Sequence, residues 1–313
     1  MKTLRTIAEI RAHVAAARAA GRTVGLVPTM GAFHAGHHAL MRAACAACDE
    51  VVVSLFVNPA QFDEVSDLTA YPRDEAADLA IAERHGVDAV FAPGAAEIYP
   101  DGFATTVSVG RLGEVLEGVE RGAAHFAGVC TVVCKLFTIV APDIAFFGQK
   151  DAQQVVVIRR MTRDLDLPVE LAVVPTVREP DGLALSSRNA RLGAGDRRRA
   201  VALSRGLAAA AEQLANGPRA AEAAGIAAMR ALGVTPEYLS AVDPETLEPV
   251  QRAAGRVLLV VAARIGPARL IDNVLIDTEQ VATRDTRAPT TAKEDPCPPH
   301  PATSTQTASP AGR

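Results

Sequence analysis

VPTMGAFHAGHHALM, residues 27–41, holds three of the chain's seven histidines, at His34, His37 and His38. The apolar run TVGLVPT leads into it, and an alanine-rich helical pattern follows over residues 37–48. A strand that turns through glycines into a helix presents free backbone N–H groups and the positive end of the helix dipole. The stretch therefore predicts an anion-binding turn between a strand and a helix.

The histidines allow three interpretations: a metal site, a phosphate site, or solvated side chains at a helix start. His34 and His37 are three residues apart, so their rings can converge on one ligand, and Gly36 permits a close backbone approach between them. A metal would need a third ligand, but His38 is expected to point away and the stretch contains no carboxylate. Solvated residues would explain His38 but not the PTMG turn. We therefore favour phosphate contacts.

Strand-like runs alternate with helical ones on both sides of this turn. Further strands are predicted at VVVSLFV, DAVFAP, TTVSVG, IAFFGQ and PVELAVVPT. Helices are predicted at DEAADLAIAERHG, at GVCTVVCKLFTIVAP and from Asp151 to Arg163. Strands separated by helices of roughly 10 to 15 residues imply βαβ units and a parallel sheet. Ligands of such sheets bind beyond the carboxyl ends of the strands.

The pattern changes after about residue 176. Two helices, in DRRRAVALSRGLAAAAEQLANG and RAAEAAGIAAMRALG, precede three strands in PEYLSAVD, GRVLLVVAARIG and ARLIDNVLID. We predict an α/β domain over residues 1–176 and a smaller α+β domain over 177–281. Residues 282–313 carry six prolines and no aliphatic side chain larger than alanine. They cannot bury enough apolar area to offset ordering, so we predict a disordered tail.

Composition narrows the class of protein. The 313 residues are 49% apolar and 22% charged with a net charge of −4, which argues against a surface that coats nucleic acid. No uncharged apolar run reaches the length of a membrane span. The N-terminus alternates charges with apolar residues at helical spacing, so it predicts an amphipathic helix rather than a signal peptide. A cytoplasmic location is expected.

Cysteine spacing gives little support for a redox or zinc site. Cys45 and Cys48 form a CxxC inside an alanine-rich helix, and no second CxxC accompanies it. Cys130 and Cys134 are four residues apart on an apolar helix. Small core side chains are the better interpretation of all four.

Three more polar segments follow predicted strands, at the edge where the carboxyl ends meet. They supply amides, a lysine beside an aspartate, and two hydroxyls beside an arginine. Turn or helix-cap chemistry explains each segment alone about as well as function does. Four such segments at one edge are better explained by a nucleotide-phosphate site, where lysine makes a point-charge contact. These residues are Asn58, Gln61, Lys150, Asp151, Gln154, Ser186, Ser187 and Arg188.

At these segments the sequence resembles the pantoate–β-alanine ligase family of the HIGH-type nucleotidyltransferase superfamily. The family pattern PTMGALHxGH appears as PTMGAFHAGH at residues 28–37. SLFVNPAQF, YPR, HFAGVCTVVCKLF, FGQKDAQQ and DGLALSSRN follow in family order. The resemblance covers roughly residues 1 to 280.

The resemblance implies an ATP-dependent ligation in two steps. The carboxylate of pantoate attacks the α-phosphorus of ATP, giving pantoyl adenylate and pyrophosphate. The amine of β-alanine then attacks the acyl carbon and releases AMP and pantothenate. It also implies Mg²⁺ with the ATP, a Rossmann-like domain with a smaller C-terminal α+β domain acting as a lid, and a homodimer.

The resemblance also implies roles for residues. His37, His34 and Lys150 would be catalytic, with His37 as a proton donor and Asp151 on the ribose. Pantoate would contact Gln61, Gln154 and Asn58. The implied ATP-binding residues are Met30, Gly31, His34, Gly36, His37, Gly148, Gln149, Lys150, Asp151, Val177, Leu185, Ser186, Ser187 and Arg188.

Two departures and two alternatives accompany this interpretation. The segment from Arg121 to His125 has one residue more than the family's RPGH, so the spacing of these two residues departs from the family pattern. Leu185 replaces a methionine, a volume-conserving change. A nucleotidyltransferase for a phosphorylated substrate is the alternative enzyme, but the amides Gln61 and Gln154 argue against it. A nucleotide-binding protein without turnover is favoured only by the altered segment.

Overall fold

Six parallel strands form the larger sheet. They are β1 (Lys2–Leu4), β2 (Val24–Thr29), β3 (Glu50–Leu55), β4 (Ala89–Phe91), β5 (Ile144–Gly148) and β6 (Glu170–Val174). Their order across the sheet is β1-β4-β3-β2-β5-β6, with every pairing parallel. The two strands that follow β2 in the chain lie toward one edge of the sheet, and the strand that follows β5 lies toward the other edge. This makes the gap between β2 and β5 a topological switch point, where ligands of open α/β sheets bind.

Helices cover both faces of this sheet. In chain order they are α1 (Ile7–Ala19), α2 (Ala35–Ala47), α3 (Glu75–Arg84), α4 (Ala95–Ile98), α5 (Glu117–Arg121), α6 (Ala123–Val140) and α7 (Ala152–Asp164). One core lies under α1, α6 and α7, and a second lies under α2 and α3. Strand β2 contributes Leu26 to the first core and Val27 to the second. Burial on both faces explains its continuous apolar run.

The C-terminal part has three helices and an antiparallel sheet. They are α8 (Ala194–Ala200), α9 (Ala202–Gln213), α10 (Pro218–Ala231), β7 (Tyr238–Val242), β8 (Arg256–Ile265) and β9 (Ala268–Asp277). One face of the β7-β8-β9 sheet packs on these helices, while Leu258 and Val260 on the other face join the core under α7. The fold is therefore the predicted α/β sheet domain with a smaller α+β part. The boundary at residue 176 stays a prediction.

This structure is a computed structural model that describes residues 1–62, 68–69 and 71–279, and Met1–Thr278 form one compact unit. The predicted tail, residues 282–313, lies outside the described residues. In the part described, one helix, Ala123–Val140, is long and apolar enough to cross a membrane, and it is mostly buried under the sheet. Cys45, Cys48, Cys130 and Cys134 pack against the cores, as predicted.

The secondary structure differs from the prediction at three places. TTVSVG, residues 105–110, forms no strand; it runs alongside α6, and the Val107 N–H donates to Thr131 Oγ1 at 2.9 Å. Strand β1 was not predicted, because three residues are too few to show a pattern. The single helix predicted after residue 195 is divided at Val201 into α8 and α9.

Candidate active site

The histidine turn follows β2 and is held by a carboxylate from α3. Gly31 has φ +87° and Ala32 has φ +53°, so the chain turns sharply before His34. Asp78, 3% exposed, accepts the N–H groups of Ala32 and Phe33, both at 2.8 Å. A Cβ on Gly31 would lie 2.7 Å from Asp78 Oδ2. Asp78 therefore fixes the turn, a role that its sequence position did not reveal.

His34 and His37 cap the start of α2 reciprocally. The Gly36 N–H donates to His34 Nδ1 at 3.1 Å, and the His34 N–H donates to His37 Nδ1 at 3.3 Å. Because each Nδ1 accepts a hydrogen bond, each neutral ring carries its proton on Nε2. The ring centroids are 4.2 Å apart. A Cβ on Gly36 would lie 2.8 Å from the His34 ring, so any larger residue here would require the ring to shift.

Both rings have a pKa below the usual value, which favours their neutral form at pH 7. Burial, with a smaller effect of His34, lowers the pKa of His37 to about 3. Burial and the Lys150 charge lower the pKa of His34 from its usual value. The pair therefore offers two neutral N–H donors to an anion. A proton-donor role for His37 would need the negative charge of a bound substrate to raise its pKa.

Lys150 reaches the same edge from the neighbouring strand. It lies in a 3₁₀ turn, Gln149–Asp151, directly after β5. Its ammonium is 3.1 Å from Asp151 Oδ1, and its side chain is 16% exposed, against 49% for Asp151. Burial tends to raise the pKa of Asp151, but the charge and hydrogen bond of Lys150 outweigh it and lower that pKa. The Lys150 charge also contributes to the lowered pKa of His34.

The fourth segment adds a guanidinium. The Leu185 N–H donates to the Val177 carbonyl at 2.9 Å, so these two predicted adenosine contacts are neighbours. Ser186 caps a 3₁₀ turn, Ser187–Arg191, while Ser187 is exposed. One small cavity is lined by Lys150, Ser186 and Arg188, together with Arg269 of β9. Burial and the Arg121 charge lower the pKa of Arg188, whereas Asp151 raises it.

Asn58 and Gln61, the two predicted substrate residues of the NPAQF segment, differ in how deeply they are buried. Asn58, 1% exposed, donates to Gln61 Oε1 and the Gly128 carbonyl, both at 3.1 Å. Its Oδ1 accepts from the Ala60 N–H and from the Tyr99 hydroxyl. The geometry thus makes Asn58 a support for Gln61. Gln61 is half-buried, and its Nε2 contacts Met30 Sδ at 2.9 Å.

The segment from Arg121 to His125, which departs from the family pattern, contacts the backbone of Gln61. Gly122, with φ +77°, separates α5 from α6. His125 Nδ1 lies 2.7 Å from the Gln61 carbonyl. A Cβ on Gly128 would lie 2.1 Å from the Ala60 carbonyl oxygen, so α6 touches this backbone directly. His125 therefore contacts the backbone of Gln61 although its segment departs from the family pattern.

Adjacent glutamines at the start of α7 have different surroundings. Gln153, 6% exposed, donates to the carbonyls of Leu112 and Val115 and accepts the Glu117 N–H. Gln154 is half-buried, and its side chain has no hydrogen-bond partner among the described residues. Gln154 therefore remains available to a substrate. Space is also open beside Gly148, where a Cβ would meet no atom within 4 Å.

Two imidazole donors, an ammonium and a guanidinium thus gather where β2, β5 and the loop after β6 meet. This arrangement at the switch point of a parallel sheet defines a nucleotide-dependent α/β enzyme. Over residues 2–275 the chain matches the family described as pantoate-beta-alanine ligase. The chain belongs to that family.

Relatives and solved structures agree with this assignment. The pantothenate synthetase of Cereibacter sphaeroides (strain ATCC 17029 / ATH 2.4.9) is 53% identical over 87% of this chain and 98% of the relative. A crystal structure of the Thermus thermophilus enzyme has a TM-score of 0.82 at 48% identity, over 88% of this chain and 99% of that one. The pantoate-beta-alanine ligase of Francisella tularensis, complexed with beta-gamma ATP and beta-alanine, has a TM-score of 0.72 at 33% identity, over 88% and 97%.

Proposed function

We propose that the chain joins the carboxylate of pantoate to the amine of β-alanine in two steps. A carboxylate oxygen attacks the α-phosphorus of ATP, and the bond from that phosphorus to the bridging oxygen breaks, releasing pyrophosphate. The β-alanine nitrogen then attacks the acyl carbon of pantoyl adenylate. AMP leaves, and the nitrogen loses a proton as the amide of pantothenate forms. Membership of the ligase family supports both steps.

The observation that carries the proposal is the reciprocal cap of His34 and His37, which leaves both Nε2 atoms as donors at the sheet edge that also carries Lys150. Negative charge grows on the β-phosphate as pyrophosphate leaves. His34 and His37 can donate to its oxygens without themselves being charged, and the Lys150 ammonium adds a full positive charge. Preorganised donors at developing charge are worth about 2.7–4 kcal/mol each in comparable sites.

The remaining residues position the reactants. Gln61 and Gln154 would bind the hydroxyl and carboxylate oxygens of pantoate, because neutral amides can both donate and accept. Asp151 would take the ribose hydroxyls, and Val177 would contact the adenosine. The other ATP contacts that we propose are Met30, Gly31, Gly36, Gly148, Gln149, Leu185, Ser186, Ser187 and Arg188.

We also propose that Mg²⁺ arrives with the ATP. In the part of the chain that the structure describes, no group of three or more histidine, cysteine or acidic side chains could hold a metal. Mg²⁺ commonly keeps its water and binds substrate phosphates rather than a protein cage. Phosphate oxygens and water would therefore be its ligands. The ion would neutralise part of the triphosphate charge.

A homodimer and a cytoplasmic location complete the proposal. The family supports the dimer, and sedimentation equilibrium of the purified chain tests it. The one long apolar helix of the described part, α6, is mostly buried in the core. Its burial supports a role in packing rather than as a membrane span.

Product analysis with each substrate omitted in turn tests the function. Pyrophosphate should appear with ATP and pantoate alone, and AMP with pantothenate should appear only when β-alanine is added. Pyrophosphate release with phosphopantetheine in place of pantoate would instead support the alternative nucleotidyltransferase. Bound ATP without any AMP, with both small substrates present, would support binding without turnover.

A further inference from the structure

Strand β9 of the C-terminal sheet reaches the turn that carries Lys150. Asn273, 4% exposed, donates through Nδ2 to the carbonyl oxygens of Gln149 and Lys150, both at 2.9 Å. Its Oδ1 accepts from Gln149 Nε2 at 2.8 Å. The partners are separated by more than 120 residues of chain.

All three hydrogen bonds of the Asn273 amide are made to the same turn. An asparagine side chain has two N–H donors and one oxygen acceptor. Here both donors and the acceptor serve the 3₁₀ turn Gln149–Asp151. The residue that precedes the turn, Gly148, provides no side-chain cap. Removing the amide would leave two carbonyl groups of the turn without these partners, so the turn would be free to shift.

Strand β9 is itself anchored at two residues that precede Asn273. Asp272, 3% exposed, accepts two hydrogen bonds from the Arg178 guanidinium, at 2.6 and 2.9 Å. Arg269 donates to Glu117 Oε2 at 2.6 Å, and Glu117 is 5% exposed. Tyr238 of the neighbouring part of the sheet donates to Glu117 Oε1 at 2.7 Å. The strand therefore offers Asn273 as a fixed point.

We propose that Asn273 is a positioning residue for Lys150, so that the C-terminal sheet completes the phosphate site rather than only covering it. This inference rests on the proposed function, in which the Lys150 ammonium stabilises the departing pyrophosphate. The ammonium lies at the end of a side chain whose backbone Asn273 holds. A displacement of about 1 Å at a reacting group can cost on the order of 100-fold in rate.

A double-mutant cycle tests the inference. Asn273→Ala, Lys150→Ala and the double variant are compared with the unaltered chain by pantoate-dependent pyrophosphate release under single-turnover conditions. We expect Asn273→Ala to lower the rate about 10- to 100-fold, and the double variant to match Lys150→Ala within about threefold. A merely structural defect would instead lower the rate of both backgrounds by the same factor.

Two further variants make the result specific. Asn216→Ala changes an exposed asparagine of the C-terminal part, whose amide donates only to Gln213 at 2.8 Å, and should keep the full rate. Asn273→Ser keeps one donor and replaces Asn273→Ala in the cycle if Asn273→Ala does not fold. Its rate loss should likewise disappear when it is combined with Lys150→Ala. Multiplied rate losses in the double variant, or a full rate in Asn273→Ala, would overturn the inference.

ATP affinity, measured by calorimetry on the same four proteins, separates this inference from the function. If the double variant loses no more ATP affinity than Lys150→Ala alone, the positioning role is supported even without turnover. An unaltered chain that binds ATP but releases no pyrophosphate would contradict the proposed function alone. Multiplied losses of affinity in an active enzyme would contradict the positioning role alone.

Discussion

Replacing Asp78 with asparagine tests how the histidine turn is held. The carboxylate of Asp78 accepts the N–H groups of Ala32 and Phe33, each at 2.8 Å, inside the protein. An asparagine keeps one oxygen, so one N–H loses its acceptor and faces an amide N–H instead. A hydrogen bond to a charged group contributes about 1.5–3 kcal/mol, so we expect the free energy of unfolding to fall by about 2–3 kcal/mol.

Catalysis should fall as well, because the turn leads directly into His34. We expect pantoate-dependent pyrophosphate release to slow on the order of 100-fold, as for a displaced catalytic group. Urea unfolding and single-turnover rates measure the two effects. Asp74→Asn is the matched control on the same helix, since asparagine caps a helix as well as aspartate does. An Asp78→Asn protein with unchanged stability and rate would show that the carboxylate does not hold the turn.

Three further predictions concern the same site. Gly128→Ala should cost at least about 3 kcal/mol of unfolding free energy and slow adenylation, because its Cβ would lie 2.1 Å from the Ala60 carbonyl oxygen. The control Gly94→Ala, where a Cβ meets open space, should leave stability unchanged. Equal urea midpoints for the two variants would contradict this prediction. His37→Ala should slow pyrophosphate release about 100- to 1000-fold, at less than about 1 kcal/mol of stability, and near-normal turnover would remove the role of His37. Because the pKa of His37 falls from 6.5 unfolded to about 3 folded, the unfolded chain binds the extra proton between these values, so stability should fall as the pH drops from 6.5 toward 3. His37→Gln should weaken that dependence, measured by urea unfolding at several pH values; an unchanged slope would contradict it.

Local patterns were sufficient for the parts of the fold that depend on neighbouring residues. The turn from β2 into α2 is such a part, because its glycines and histidines act within a few residues of one another. TTVSVG shows what a local pattern leaves out. Its alternation gave an extended segment with Val107 and Val109 packed against the core, but the N–H of Val107 bonds to Thr131 of a helix instead of to a strand.

The supporting residues of the site could not be predicted for a related reason. Asp78 acts on a turn 46 residues earlier, and His125 on a carbonyl 64 residues earlier. Asn273 acts across 123 residues. Each role depends on which segments the completed fold brings together, and no spacing in the sequence encodes that. Asn58 shows the same limit: its motif predicts contact with substrate, which stays a prediction, whereas its hydrogen bonds to Gly128 and Tyr99 come from distant segments.

The fate of the pantoate carboxylate oxygens tests the account most directly. If this site transfers the adenylyl group of ATP to pantoate, one carboxylate oxygen must bridge to the α-phosphorus and leave with AMP. Pantoate labelled with ¹⁸O in its carboxylate should therefore give AMP with one ¹⁸O in its phosphate for each pantothenate formed, as mass spectrometry would measure. AMP without the label, formed at the same rate as pantothenate, would contradict adenylate formation at these residues.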